Sequence, residues 1–350
     1  MKNIDILDAV KFVCCLMICA IHSNLIIPMG ERGNLLWPWL RIAVPLFFIV
    51  SSYLFFLRLK IAIRTDEDSD KIIKKWFKRN VYLYVFWFVI LLPCTLYFRY
   101  QTWFSAGFAK NAWSVVRSFL LDSTFPASWF ITANIFSVAV VLWLCKGRRG
   151  LSLLAGGIAG AFTVIYSSYL PLLGDACFLR QFCQLYSSLF GSPCFSFWAG
   201  LIWVVAGMIL AENDFRMPRK ASIPLLIAFA ILFHYEWSFV ASSTGNYKND
   251  CYASLIPLCI MIFVCVKDVP LHCTFAKYLR SFSVILFVTH IPSCAFSRLI
   301  FGHGFNLQDP FGVSRFLSAM VVAALICSAC FFLENRYNPR GKFLWLKYLH

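Results

Sequence analysis

Charge is what this sequence has least of: Asp, Glu, Lys and Arg make up only 14% of its 350 residues, against about 25% in an ordinary soluble domain. With 60% hydrophobic residues and a mean hydropathy of +0.72, neither a soluble enzyme nor a disordered chain fits. The alternation of polarity over about 10 residues that marks a membrane β-barrel is missing too. Stretches such as 81–98 and 221–233 are apolar on nearly every face, so spanning segments must be helical. The 15 cysteines lack zinc-type pairing, and Cys14, Cys15, Cys19, Cys259 and Cys265 lie inside apolar runs, where cysteine acts as a small hydrophobe. That excludes a disulfide framework and leaves no metal site. The net charge of +16 is scattered through short loops and forms no basic domain, which argues against nucleic acid as a partner. No small-residue cleavage site follows the first apolar run, 7–27, so it is expected to stay as a span. No internal repeat is evident.

What is present is apolar length. Sixty per cent of 350 residues, at about 20 per span, furnishes about ten helices. Windows bounded by charge, Gly and Pro fall near 6–27, 36–57, 79–98, 128–145, 151–173, 193–211, 221–240, 251–266, 282–301 and 313–333. The expected fold class is therefore all-α, a polytopic membrane helix bundle of about ten transmembrane helices forming one domain over 1–350. Placing the N-terminus in the cytoplasm puts 22 of the 32 Lys and Arg inside and six outside, so the positive-inside rule sets both termini in the cytoplasm. The outer loop 99–127 carries a mixed stretch, 103–121, suited to a helix in the membrane interface. The charged stretch 64–78 reads as a solvated cytoplasmic connector, and 334–350 as a cytoplasmic tail.

An ionisable group in a span costs roughly 2.5–3.5 kcal/mol even on lenient scales, so function is sought at the few that occur: Lys11, His22, Arg41 and His290. Lys11 and His22, eleven residues apart, lie about 20° apart around a helix axis and about 16 Å along it. One helix face thus offers a cation toward the cytoplasmic leaflet and an imidazole toward the outer one. Plainer readings stand beside this: Lys11 and Arg41 could snorkel, His22 could cap an interface, and His290, followed by Pro292, could be a satisfied structural histidine.

These residues resemble the integral-membrane acyltransferase family known as acyltransferase 3, which includes bacterial O-acetyltransferases of surface polysaccharides and peptidoglycan. Asp8, Lys11 and His22 match the pattern of its first span. Val44-Pro45-Leu46-Phe47-Phe48-Ile49-Val50-Ser51-Ser52-Tyr53-Leu54 is similar to its second, and Lys78-Arg79-Asn80-Val81-Tyr82-Leu83-Tyr84 to the opening of its third. Trp129-Phe130 looks like its Trp-Phe pair, 283–290 like its late Ser-to-His segment, and Glu334 like its terminal Glu element. Ser52 stands where the family usually has Gly, Phe287 where it often has Tyr, and Asn335-Arg336 where it often has Arg-Pro.

The resemblance implies a multi-pass protein of the bacterial cytoplasmic membrane that moves an acyl group, acetyl above all, from acyl-coenzyme A to a hydroxyl of a carbohydrate or glycolipid. Acetyl-CoA would then be a donor substrate, with no cofactor held permanently. Lys11 and Arg79, with Arg41 further along the path, would meet the donor's phosphates, since Arg and Lys suit phosphate oxygens. His22 would serve as general base or acyl acceptor, with His290 as a second catalytic candidate. Asp8, Ser52, Tyr53, Trp129 and Glu334 would support them. The rival from another class is a transporter or proton-coupled exporter using Lys11, His22 and His290 as a relay.

Overall fold

The computed structural model describes residues 5–104, 107–146, 148–301 and 312–337, and every regular element among them is helical. In chain order these are α1 (Asp5–His22), α2 (Glu31–Leu40), α3 (Ala43–Arg64), α4 (Ser69–Ile90), α5 (Leu92–Phe104), α6 (Phe108–Leu121), α7 (Trp129–Ala139) and α8 (Arg149–Val164). They are followed by α9 (Phe178–Phe190), α10 (Phe197–Asn213), α11 (Arg219–Thr244), α12 (Leu255–Val266), α13 (Ala276–Phe301) and α14 (Gly312–Tyr337). Wider and tighter turns carry α7 on to Leu144 and α8 on to Leu172.

Each expected span has a helix, but not each helix has a span's length and apolarity. Five runs among the described residues do: Glu31–Arg64, Arg149–Leu172, Arg219–Thr244, Ala276–Ser297 and Gly312–Tyr337. Trp129–Leu144, Phe197–Asn213 and Leu255–Val266 are apolar but shorter. The other two expected spans, α1 and α4, carry Asp5, Asp8 and Lys11 and six charges between Asp70 and Arg79. Ten spans is thus a count that helix length and hydropathy alone do not reach.

Four boundaries differ from the sequence reading, each for a local reason. The first helix stops at His22 and not near 27, because Asn24 takes a left-handed φ of 60° and Pro28 lies in the short helical turn Ile27–Met29. The second window is broken: α2 ends at Leu40 and α3 begins at Ala43, so Arg41 sits at the junction and not five residues inside a span. The charged stretch 64–78 is a connector only as far as Asp68, whose side chain accepts the Lys71 amide and caps α4. The segment 99–127 contains α5's end and α6, with a turn before Trp129. The tail expected at 334–350 is described only as far as Tyr337, where α14 ends; 338–350 lies outside the described residues.

The core is built on α3 and α10, whose closest approach is made by small residues. Gly207 faces Ser52 so tightly that a Cβ there would lie 2.0 Å from Ser Oγ and 2.8 Å from the Ile49 carbonyl oxygen. Ser52 is fully buried and returns its hydroxyl to Phe48 and Ile49 of its own helix. Tyr53, one residue on, packs edge-on against Phe263 at 4.9 Å. At the other extreme α11 and α14 expose Leu232, Phe239, Leu325 and Phe332 outward, as lipid-facing helices do.

Side-chain contacts between elements sort the bundle into two ends. At one, Asp8 meets Arg280, Lys60 bonds the Ala211 and Glu212 carbonyls, Arg149 meets Glu212, and Lys277 meets Glu334. At the other, Arg41 meets Asp250, Arg99 meets Asp122, Trp113 bonds the Leu189 carbonyl, and Ser167 accepts the Asp250 and Cys251 amides.

Candidate active site

α1 and α13 run side by side in the same direction, and their contacts mark successive depths. Asp5 accepts the Cys273 amide, Asp8 meets Arg280, Cys15 donates to the Ser283 carbonyl, and His22 meets His290. The sequence placed Lys11 and His22 on one face; the fold adds what stands opposite each of them.

At the Lys11 level, Asp8 is 4% exposed and accepts from both Nε and Nη2 of Arg280, at 3.0 and 2.6 Å. A buried carboxylate needs such a partner. Lys11 has Asp8, Arg79 and Arg280 as its charged neighbours, and Arg280 also feels Asp5, so the group carries three cations against two anions. Its Nζ lies 5.9 Å from the Phe47 ring centre. Arg79, on α4, is thus brought to Lys11 from a separate helix. By sequence Arg280 is one of the basic residues that precede the window 282–301. Its one signal was Asp8 itself, an acid in an apolar run that had to find a positive group.

From Lys11 an aromatic path leads to the imidazoles. Phe47 is 5.8 Å from Phe287 and 5.2 Å from Phe130, and Phe287 is 6.1 Å from His290. Phe48 and Trp129 back this path, with Trp129 also against Phe195 at 5.7 Å. Trp129 therefore holds the wall by packing. Phe47, Phe48 and Phe130 stand in the sequence only as parts of motifs and Phe287 as a departure from one, since apolar residues in apolar spans carry no further mark.

His22 and His290 have ring centres 5.1 Å apart. His290 is 1% exposed, and its Nδ1 lies 2.7 Å from the Phe287 carbonyl oxygen and 3.1 Å from that of Leu286. Carbonyls only accept, so Nδ1 carries the proton and Nε2 presents a lone pair. That Nε2 is buried without a hydrogen-bond partner. The hydroxyls of Ser283, Thr289, Ser293 and Ser297 on the same helix all bond back to α13 carbonyls, which makes the open Nε2 an exception among them. His22 closes α1 and is exposed.

Arg41 stands apart from Lys11 and Arg79. Its Nη1 pairs with Asp250 at 2.6 Å and its Nη2 donates to the Lys248 carbonyl at 2.8 Å, both at the opposite end of the bundle, though its charge reaches His22. Glu334 lies 3.9 Å from Lys277 at the Lys11 end, away from the imidazoles. Among the described residues no cluster of three or more His, Cys, Asp or Glu could hold a metal.

Two curated proteins of Enterococcus faecalis, each named an amino-acid racemase, are similar to this chain. One is 22% identical over 272 residues, covering 73% of this chain and 36% of its own length. The other is 21% identical over 230 residues, covering 65% and 31%. The chain spans about a third of each, so their printed activity belongs to proteins mostly beyond the match. No solved structure matches. The family model described as "Acyltransferase domain" matches residues 4–334. With nearly its whole length inside that match, this helical membrane chain belongs to the acyltransferase 3 family.

Proposed function

We propose that the protein transfers an acyl group, acetyl above all, from coenzyme A to a hydroxyl of a carbohydrate or glycolipid, across the bundle from the Lys11 end to the His22 end. The observation that carries this reading is the joining of Lys11 to the His22–His290 pair by Phe47 and Phe287. A cationic group at one level and a base about 16 Å away suit one extended ligand, with phosphates at the first and a thioester at the second. Lys11, Arg79 and Arg280 outnumber Asp8 and Asp5 and attract the anionic part of the donor. The aromatic side chains between them accept the uncharged arm and exclude water.

At the far end, the acceptor hydroxyl attacks the thioester carbonyl carbon, the carbon–sulfur bond breaks, and the thiolate leaves. His22 takes the hydroxyl proton and returns it to the thiolate. His290, with Nδ1–H held by Phe287, offers its free Nε2 to an N–H of His22 and so sets which His22 nitrogen is basic. Such a bond tightens on substrate binding. On this reading the Lys11 end faces the cytoplasm of a bacterial inner membrane, where coenzyme A is available, an orientation that the charge split supports.

The test is incubation of the purified protein with acetyl-labelled coenzyme A, with and without total membrane glycolipid. Label entering the glycolipid with wild type and not with His22→Gln supports the reading. Uptake of an acceptor into vesicles without any covalent labelling would favour transport instead.

A further inference from the structure

The outer end of the bundle holds a second polar group that the path from Lys11 to His22 does not use. Trp37, on α2, is 5% exposed and packs with Ile21 and Ile26 in a small apolar cluster, beside the residue that precedes His22. Two cations lie over its ring: the Arg41 guanidinium at 5.4 Å and the Lys248 ammonium at 5.0 Å. Lys248 also lies 5.3 Å from the Tyr247 ring, and among the described residues it has no carboxylate within ion-pair distance. The carboxylate at hand is Asp250, which is committed to Arg41.

Most of the polar atoms left open here are donors; the buried Tyr252 hydroxyl, which feels Arg41, can donate or accept. The buried indole Nε1 of Trp37 and the buried Nε of Arg41 have no hydrogen-bond partner. Leaving a buried donor unmade costs about 1–3 kcal/mol each, so two of them beside one uncompensated ammonium are not explained by packing. A group made of acceptors alone would satisfy all three. A neutral sugar hydroxyl would bring its own donor, whereas a carboxylate or phosphate brings only oxygens and neutralises the extra positive charge.

We infer that Trp37, Arg41 and Lys248 form the acceptor subsite, and that the acceptor carries an anionic oxygen group, carboxylate or phosphate, next to the hydroxyl that receives the acyl group. This deepens the acyltransferase reading and rests on it for the reaction but not for the binding. The cationic faces on Trp37 hold the anion at the mouth, and Ile21 fixes that mouth one residue from His22.

The test uses the full-length protein in detergent micelles and three probes: methyl glucuronide, glucose 6-phosphate and methyl glucoside. Binding is read by ligand-observed NMR without donor present. At low salt the anionic probes should bind at least about fivefold more tightly than the glucoside, an advantage that salt screens away. Lys248→Ala should erase it, Lys248→Arg should keep it, and Trp37→Phe, which retains the ring but loses the N–H, should weaken both anionic probes. A difference between glucuronide and phosphate says which anion the acceptor bears. Equal binding of all three by wild type, or an unchanged preference in Lys248→Ala, overturns the inference. A second arm adds acetyl-labelled coenzyme A. Anion-selective binding with no label transferred upholds the subsite and overturns acyl transfer. Label passing to the neutral glucoside as fast as to the glucuronide overturns the subsite and upholds acyl transfer.

Discussion

The two ends of α1 solve the same problem in opposite ways. Near its start, Asp8 is matched to Arg280 with three donor–acceptor contacts, and that group anchors α1 to α13. At its end, His22 faces His290 with an unpartnered Nε2 between them. Both pairs join the same two helices, so the difference is not one of packing. A buried polar group that is fully matched holds a structure, and one left open in an otherwise satisfied helix is available to a substrate.

The most severe test of that contrast is at the open end. His22→Gln keeps volume and hydrogen bonding but cannot shuttle a proton near neutral pH, and should lower transfer by about 10²–10⁴-fold with donor binding and thermal stability nearly unchanged. A variant keeping more than about a tenth of the rate would move the base to His290.

At the matched end the effect should fall on stability. Asp8→Ala leaves Arg280 without its partner and should destabilise by about 2–3 kcal/mol, below the 3–5 of a fully buried pair because the guanidinium is 38% exposed. Thermal unfolding in detergent measures it. A fall in activity with an unaltered unfolding temperature would mean that Asp8 serves catalysis and not the α1–α13 junction.

A purely packing site sharpens the distinction further. Gly207→Ala must push a methyl against the Ile49 carbonyl oxygen at 2.8 Å and the Tyr53 amide nitrogen at 2.9 Å, and should cost about 1–3 kcal/mol. Adding Ser52→Gly removes the 2.0 Å contact with Oγ but not the backbone ones, so the double variant should recover only part of the loss. Complete recovery would show that the helices can slide apart.

Smallest is the expected effect at Lys11. Lys11→Ala should raise the donor's KM by about tenfold, since Arg79 and Arg280 remain, whereas Lys11→Arg should stay within about threefold of wild type. Equal KM values in all three proteins would remove Lys11 from the donor site.

Much of this was readable beforehand, and the unread part has a pattern. Helix positions followed from apolar length, and the shared face of Lys11 and His22 from helical geometry alone. The junction at Arg41 leaves no mark in hydropathy, because the 34 residues Glu31–Arg64 contain an apolar window of span length, and only Pro38 and Pro45 hint at the break. Ser52 stands in a family motif, and only the fold shows it buried against Gly207.

The sequence by itself determined that the chain is helical and membrane-embedded, which ionisable residues are expensive enough to matter, and that Lys11 and His22 look the same way. Those conclusions rest on composition, on a 1.5 Å rise and on the cost of charge in hydrocarbon, all of them local. Only the tertiary structure decided who stands opposite. Arg280 is 272 residues from Asp8, and His290, Phe287 and Asp250 reach the site from other helices and loops. Partner choice across such separations depends on helix order and register, which no window of the sequence contains.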